Sequence, residues 1–289
     1  MTLLDPANIG PRLVGRIPGE VRIRSAHLLS VSPGQRAVVL LRTDAPGPDL
    51  IAKLYADPRR AARLYRLLGE LPGVPPPVAH VPELGICIYE ASTGRPIDEL
   101  PDEDRAAAVA SAAEWLAALH GADLRFDRRL HLATELDNAG TWAERVAAGL
   151  PACGARARQL VDRLRSEAPP VPDTIPMHKD FQYQHTLFED GQLVVIDLDE
   201  MRAGDPALDV AHFAANLRLL ERRSGTASLE KAFLRAYPES WPEKRLRFWS
   251  RYTFLKLAKQ IVRGRGPAPV PAGRDRDDEV AWALAEGLR

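Results

Sequence analysis

Three short apolar runs open the readable part of the chain, His27 to Ser32, Arg36 to Arg42 and Leu50 to Tyr55. Pro33-Gly34 and the Pro/Gly segment 45–48 separate them, so the pattern predicts an antiparallel meander. Asp57-Pro58 then starts a helix to about Leu71, with apolar positions at Ala61, Leu64, Tyr65 and Leu68 and proline in its first turn. The proline-rich stretch 72–82 ends that helix, and Leu84 to Glu90 reads as a buried strand. Pro101 to Asp104 begins a long alanine-rich helix through His120, its acids suited to the positive end of the helix dipole. Residues 123–140 read as loop and Thr141 to Glu167 as one or two amphipathic helices, before a proline-rich break. Asp205-Pro206 starts another helix, and the tail gives helices near 227–236, 242–264 and 276–288. The first 24 residues have no sustained period and read as an irregular leader.

The stretch from Pro176 to Glu200 departs from this amphipathic routine. A loop holds His178, Asp180 and His185, and a β-run from Leu193 ends on Asp197, with Asp199 two residues on. A turn at Glu189-Asp190-Gly191 lets the chain double back, which brings Asp180 and Asp197 toward one space. Such a geometry suits a general base beside a metal ligand. Lys53 raises a related question, because an ammonium inside an apolar strand must reach water or an anion. On the solvent face of an edge strand it would meet water; its place in the third run, just before a helix, favours an anion.

His178-x-Asp180, a polar residue five positions later, Asp197 after a strand, and Gly204-Asp-Pro-Ala-Leu-Asp209 resemble the catalytic segment of the aminoglycoside phosphotransferase and choline kinase superfamily. The resemblance spans about residues 25–260. It implies an α+β, bilobal protein-kinase-like fold, with a small antiparallel β-sheet N-lobe at 25–92 and a mainly helical C-lobe at 93–289, after the leader 1–24. It further implies a small-molecule kinase using ATP and Mg²⁺. Asp180 then orients and deprotonates the acceptor hydroxyl, His178 braces the loop, Lys53 steadies the phosphates, and Asp197 binds the metal, with Asp199 either a further carboxylate there or a solvated loop acid. The backbone from Glu90 to Ser92 meets the adenine, and Asp209 holds the catalytic loop from below. Two positions depart from the pattern. His185 stands where an Asn is expected, and is a metal or phosphate contact, a structural loop histidine or a sign of lost activity. The helix glutamate that would pair with Lys53 falls near Ala61, leaving Glu70 or no partner. Lys179 either approaches the γ-phosphate or faces water.

Composition narrows the partners. Across 289 residues Lys+Arg and Asp+Glu both number 39, so no global field draws the chain to nucleic acid or an anionic membrane. Cys87 and Cys153 fit neither a disulfide framework nor a zinc site, and no apolar run reaches membrane-spanning length. The expectation is a cytoplasmic monomer or homodimer whose partner is a small-molecule hydroxyl acceptor. An aminoglycoside acceptor would require carboxylates, for which Asp275, Asp277, Asp278 and Glu279 are candidates; a neutral polyol fits equally well. The alternative is a catalytically silent nucleotide-binding protein with a regulatory or scaffold role.

Overall fold

The computed structural model describes residues 12–13, 15–18, 22–44, 47–170, 174–189, 191–239, 241–264 and 269–289. Much of the expected leader and part of the 264–273 linker therefore lie outside the described residues. The chain divides into two compact units, one formed by Met1–Arg95 with Leu187–Asp199, the other by Pro96–Thr186 with Glu200–Arg289.

The first unit is built on a five-stranded antiparallel sheet of β1 (Ile23–Ser32), β2 (Arg36–Thr43), β3 (Leu50–Tyr55), β4 (Pro77–Val81) and β5 (Ile86–Glu90), in the order β1-β2-β3-β5-β4. Side chains alternate across a strand, so Ala37, Val39 and Leu41 of β2 enter the core with Leu50, Ala52 and Leu54 of β3 and Ile86 and Ile88 of β5. Leu13 and Ile17 also pack there. Helix α1 (Pro58–Glu70) starts with Asp57 accepting the backbone N–H of Arg59, and buries Ala61, Leu64, Leu67 and Leu68. After β5 comes β6 (Arg95–Pro96), which forms a separate three-stranded sheet with β8 (Thr186–Glu189) and β9 (Gln192–Val195) in the order β6-β8-β9.

Gly85 enters β5 in the left-handed region (φ 62°), and a Cβ there would lie 2.6 Å from the carbonyl oxygen of Tyr55. That turn sets the register Lys53↔Cys87. With β2 on one side and β5 on the other, β3 is an interior strand, which removes the edge-strand reading of Lys53.

The second unit is mainly helical: α2 (Asp102–His120), α3 (Leu132–Gly149), α4 (Gly154–Ser166), α5 (Ala207–Ser224), α6 (Leu229–Ala236), α7 (Glu243–Val262) and α8 (Arg276–Leu288). Short strands β7 (Ile175–Met177) and β10 (Arg202–Gly204) pair antiparallel at its centre. The helical tail agrees with the sequence pattern, whereas α3 begins at Leu132, inside the segment expected to be loop. Its apolar positions explain the difference: Ala139, Ala143 and Val146 recur at helical spacing and are buried in the core, with Leu132 and Leu136 packed against it. Among the described residues no helix is long and apolar enough to cross a membrane.

Candidate active site

Each unit carries one constellation of charged groups. In the first, Lys53 and Tyr55 share a face of β3, being two residues apart, and both reach toward the turn that follows β9. Asp197 occupies the left-handed region there (φ 60°), an uncommon conformation for a residue with a Cβ and one that clusters at functional sites. Lys53 Nζ stands 2.8 Å from Asp197 Oδ1 and 2.6 Å from Asp199 Oδ2. Arg36, at the start of β2, donates to the same oxygens at 3.3 and 2.8 Å, and the Tyr55 hydroxyl donates to Asp199 Oδ1 at 2.5 Å. Burial opposes charge on Lys53, but Tyr89, Asp197 and Asp199 outweigh it and hold its pKa well above the ordinary lysine value. Burial pushes the Tyr55 phenol up, and contact with Asp199 adds to this, so that hydroxyl stays a donor.

Lys53 therefore finds its carboxylates far downstream in sequence, in the turn after β9, and not on α1. Glu70 pairs instead with Arg66, one helical turn away, at 2.7 Å on an exposed surface. The reason lies in helix geometry: Glu70 is the last residue of α1, and the buried stripe of that helix is apolar, with Ala61 and Leu67 fully buried.

Glu90 and Ser92 line a cleft of about 260 Å³ with Pro76, Ala91 and Val194. The backbone N–H of Glu90 donates to Pro76 and that of Ala91 to Asp49, so these donors are committed within the unit. Ser92 Oγ accepts the N–H of Gly94.

In the second unit the loop after β7 is seated from two sides. Asp209, fully buried in the first turn of α5, accepts the backbone N–H of His178 at 2.6 Å and of Lys179 at 2.7 Å. Lys179 is left-handed (φ 69°), and both of these N–H groups meet one carboxylate. His120 at the end of α2 bridges Asp209 (3.2 Å) and the hydroxyl of Tyr237 (2.7 Å). Rings complete the seat: Phe181 stacks on Trp115 at 5.6 Å and touches Phe213 at 4.7 Å, with the buried His178 ring edge-on to Phe181. His178 Nδ1 accepts the N–H of Asp180 at 3.4 Å, a bracing contact.

Asp180 meets groups that the sequence did not point to. Lys256 of α7 places Nζ 2.7 Å from Asp180 Oδ1, and His212 of α5 lies 3.4 Å from the same oxygen. Burial works to raise the Asp180 pKa, but Lys256 first and then His212 and His185 hold it well below the usual carboxylate range. His212 itself is pushed down to about 4, by burial and then by Lys256, so it is neutral at pH 7. His185 Nδ1 lies 2.8 Å from the Asp180 carbonyl oxygen, which makes it the donor and leaves the Nε2 lone pair facing the Gln182 amide at 3.1 Å. Lys179, expected to approach a phosphate or to face water, pairs with Glu135 at 2.7 Å; Glu135 also accepts from the Tyr252 hydroxyl. Asp180, Glu135, Trp142, Lys256 and Gln260 line a cavity of about 250 Å³.

The acids proposed near the C-terminus serve the fold. Asp275 caps α8, Asp277 pairs with Arg276, Asp278 with Arg222, and the buried Glu279 with Arg223.

The sequence profile of the phosphotransferase enzyme family matches residues 27–249. The chain belongs to that family. A search of curated protein sequences finds no significant match. Among solved structures, spectinomycin phosphotransferase APH(9)-Ia in complex with ADP and spectinomycin is similar with a TM-score of 0.68 and 10% identity, over 99% of this chain and 98% of that one. Choline kinase LicA from Streptococcus pneumoniae aligns with a TM-score of 0.66 at 17% identity, covering 96% and 97% of the two chains. A thermostable mutant of aminoglycoside phosphotransferase APH(4)-Ia, solved as a ternary complex with ADP and hygromycin B, gives 0.64 at 18% identity over 97% and 96%. These likenesses show that the chain has the protein-kinase-like α+β fold.

Proposed function

We propose that this protein moves the γ-phosphoryl group of ATP to a hydroxyl of a small molecule. The reading is carried by Asp180, a carboxylate kept ionised on a loop that Asp209 fixes through two backbone N–H groups. Phosphoryl transfer asks the protein mainly to position groups and neutralise charge. In this reading Asp180 accepts the hydrogen bond of the acceptor hydroxyl and aims its lone pair at the phosphorus. Its depressed pKa makes it an orienting group first; the proton passes to it late, as the new P–O bond forms. Lys53 and Arg36 steady the phosphates. Both are cations on carboxylates that an incoming triphosphate can partly replace as their counter-charge.

Mg²⁺ would neutralise the phosphate oxygens, and the donor set in the first unit suits it. Asp197 offers hard carboxylate oxygen on a side chain about a quarter exposed. Asp199 is nearly buried and takes Tyr55, Lys53 and Arg36, so an ion would compete there with established donors. At His185 an ion would compete with the Gln182 amide for a nitrogen that Mg²⁺ favours less than oxygen. We therefore place the metal chiefly on Asp197, with His185 bracing the loop.

A silent nucleotide-binding protein is the second reading, favoured by the cations resting on Asp180 and Asp197. Incubation with γ-labelled ATP, Mg²⁺ and a metabolite library separates the two. Label appearing in a small molecule, and lost in Asp180→Asn, supports transfer. Nucleotide binding with no label in any acceptor or in phosphate supports the silent protein.

A further inference from the structure

The cavity beside Asp180 has a charge pattern that phosphoryl transfer alone does not require. Each of its three carboxylates already has a specific cation: Glu135 has Lys179 at 2.7 Å, Asp180 has Lys256 at 2.7 Å, and Glu200 has Arg202 at 2.5 Å and Arg128 at 3.3 Å. An ammonium-bearing acceptor would find no carboxylate there without displacing one of these cations, two of which, Lys179 and Arg202, are largely buried.

Beyond these pairs, further positive charge stands close to Trp142 of the lining. Lys259, one helical turn beyond Lys256 on α7, holds Nζ 4.9 Å over the ring of Trp142, which lines the cavity. Among the described residues no carboxylate lies within ion-pair distance of Lys259, or of its neighbours Arg145 and Arg263. The crowding registers on Lys259 itself: burial, then Lys256, Arg263 and Arg145, outweigh the opposing effect of Asp180 and lower its pKa to about 8. Gln260, the next residue, lines the cavity and has a buried Oε1 that accepts no hydrogen bond among the described residues.

We infer that the acceptor is a hydroxyl compound bearing an anionic group, a carboxylate or a phosphate, which Lys259 engages beside Trp142 while Gln260 Oε1 accepts from a further hydroxyl. This rests on the phosphotransferase reading for the word acceptor, but the binding preference stands on the cavity. A bound anion supplies the counter-charge that Lys259 lacks, whereas an amino sugar would find each carboxylate of the lining already paired.

The test has two arms on the full chain, using probes of one carbon skeleton: glucuronate, glucose 6-phosphate, glucose and glucosamine, with hygromycin B as a polycation. In the first, trace acetylation near pH 8 followed by mass spectrometry reads the reactivity of Lys259. Glucuronate or glucose 6-phosphate at millimolar concentration should slow its labelling several-fold, and which of the two does so distinguishes carboxylate from phosphate. Protection by glucosamine or hygromycin B equal to that of the anions, or no protection by either anion, overturns the inference. In the second arm ADP release is measured with ATP and Mg²⁺ over a library sorted by charge. Turnover should concentrate among anionic hydroxyl compounds, and Lys259→Glu should lower their kcat/KM by about tenfold or more, equivalent to one lost charge contact of about 1.4 kcal/mol, the loss falling on KM. A neutral or cationic compound as the best acceptor overturns the inference and leaves the kinase reading intact. Selective protection of Lys259 by an anion with no turnover of any compound does the reverse.

Discussion

Lys256 donates from Nζ to Oδ1 of Asp180 at 2.7 Å, across 76 positions of sequence. The contact fixes the electrostatic state of the residue we place at the acceptor hydroxyl. His212 shares the oxygen but is neutral above about pH 4, which leaves Lys256 as the main charge holding the Asp180 pKa down.

The first prediction concerns pH. Asp180 has its pKa lowered in the folded protein, so it keeps its charge until the pH falls well below the ordinary carboxylate value, and activity should hold down to that point. Removing Lys256 takes away the largest influence that lowers it, while burial, which raises it, remains. Lys256→Gln should therefore move the acid limb of the kcat/KM profile to higher pH by one unit or more. An unmoved limb would show that Lys256 does not control Asp180.

Much of this site was legible in the sequence because the residues cluster within one stretch. His178, Asp180, Asp197 and Asp209 fall within a short span whose strand and turn signals limit how they can be arranged. Lys53 was legible for a different reason, as a lysine in an apolar strand. The same reasoning applies to Lys256, set among Phe254, Leu255, Leu257 and Ala258, and would have singled it out. Arg36, Glu135 and His212 carried no such mark: an arginine after a turn, a glutamate on an amphipathic helix and a histidine in an alanine-rich one are ordinary until tertiary structure brings them in. Glu70 was expected from resemblance alone, and the geometry of α1 places it with Arg66.

The partner of Lys53 gives the second prediction. Asp199 is 4% exposed and takes three close donors, so Asp199→Ala leaves Lys53 buried with too little counter-charge and the Tyr55 hydroxyl without its acceptor. Breaking a buried pair from one side costs about 3–5 kcal/mol. Lys53 keeps Asp197, which puts the expected loss near the lower end, about 3 kcal/mol in denaturant unfolding. Glu70→Ala, an exposed pair with Arg66, should leave unfolding and ATP affinity unchanged within error. Equal effects of the two substitutions would contradict the pairing.

Asp209 supports the third. Its carboxylate accepts two backbone N–H groups of the loop, that of His178 buried and that of Lys179 partly so, and contacts the buried His120. Asp209→Ala strands those donors, at about 1–3 kcal/mol each. Asp209→Asn retains one acceptor oxygen and should recover part of the stability while the loop loses its double anchor. Turnover should fall by two orders of magnitude or more in Asp209→Asn, with nucleotide affinity nearly preserved. Near-normal turnover would assign Asp209 to folding alone.

The last prediction tests the register that places Lys53. Gly85 sits at φ 62° between the short helical turn Pro82–Leu84 and β5, and an added Cβ would meet the Tyr55 carbonyl at 2.6 Å and Pro58 at 3.5 Å. That carbonyl is backbone and belongs to the last residue of β3, while the Tyr55 N–H donates to the Gly85 carbonyl at 2.9 Å. A methyl group cannot be accommodated by a rotamer change; the strand end must shift. Left-handed strain and the clash together should cost Gly85→Ala about 1–3 kcal/mol. Because Tyr55 binds Asp199 and Lys53 lies two residues back, the shift should also weaken ATP binding more than an equally destabilising substitution in the second unit, such as Leu160→Ala, fully buried in its core. Comparing the two variants at matched stability by nucleotide titration decides it: parallel losses of affinity would mean that Gly85 acts through global stability only.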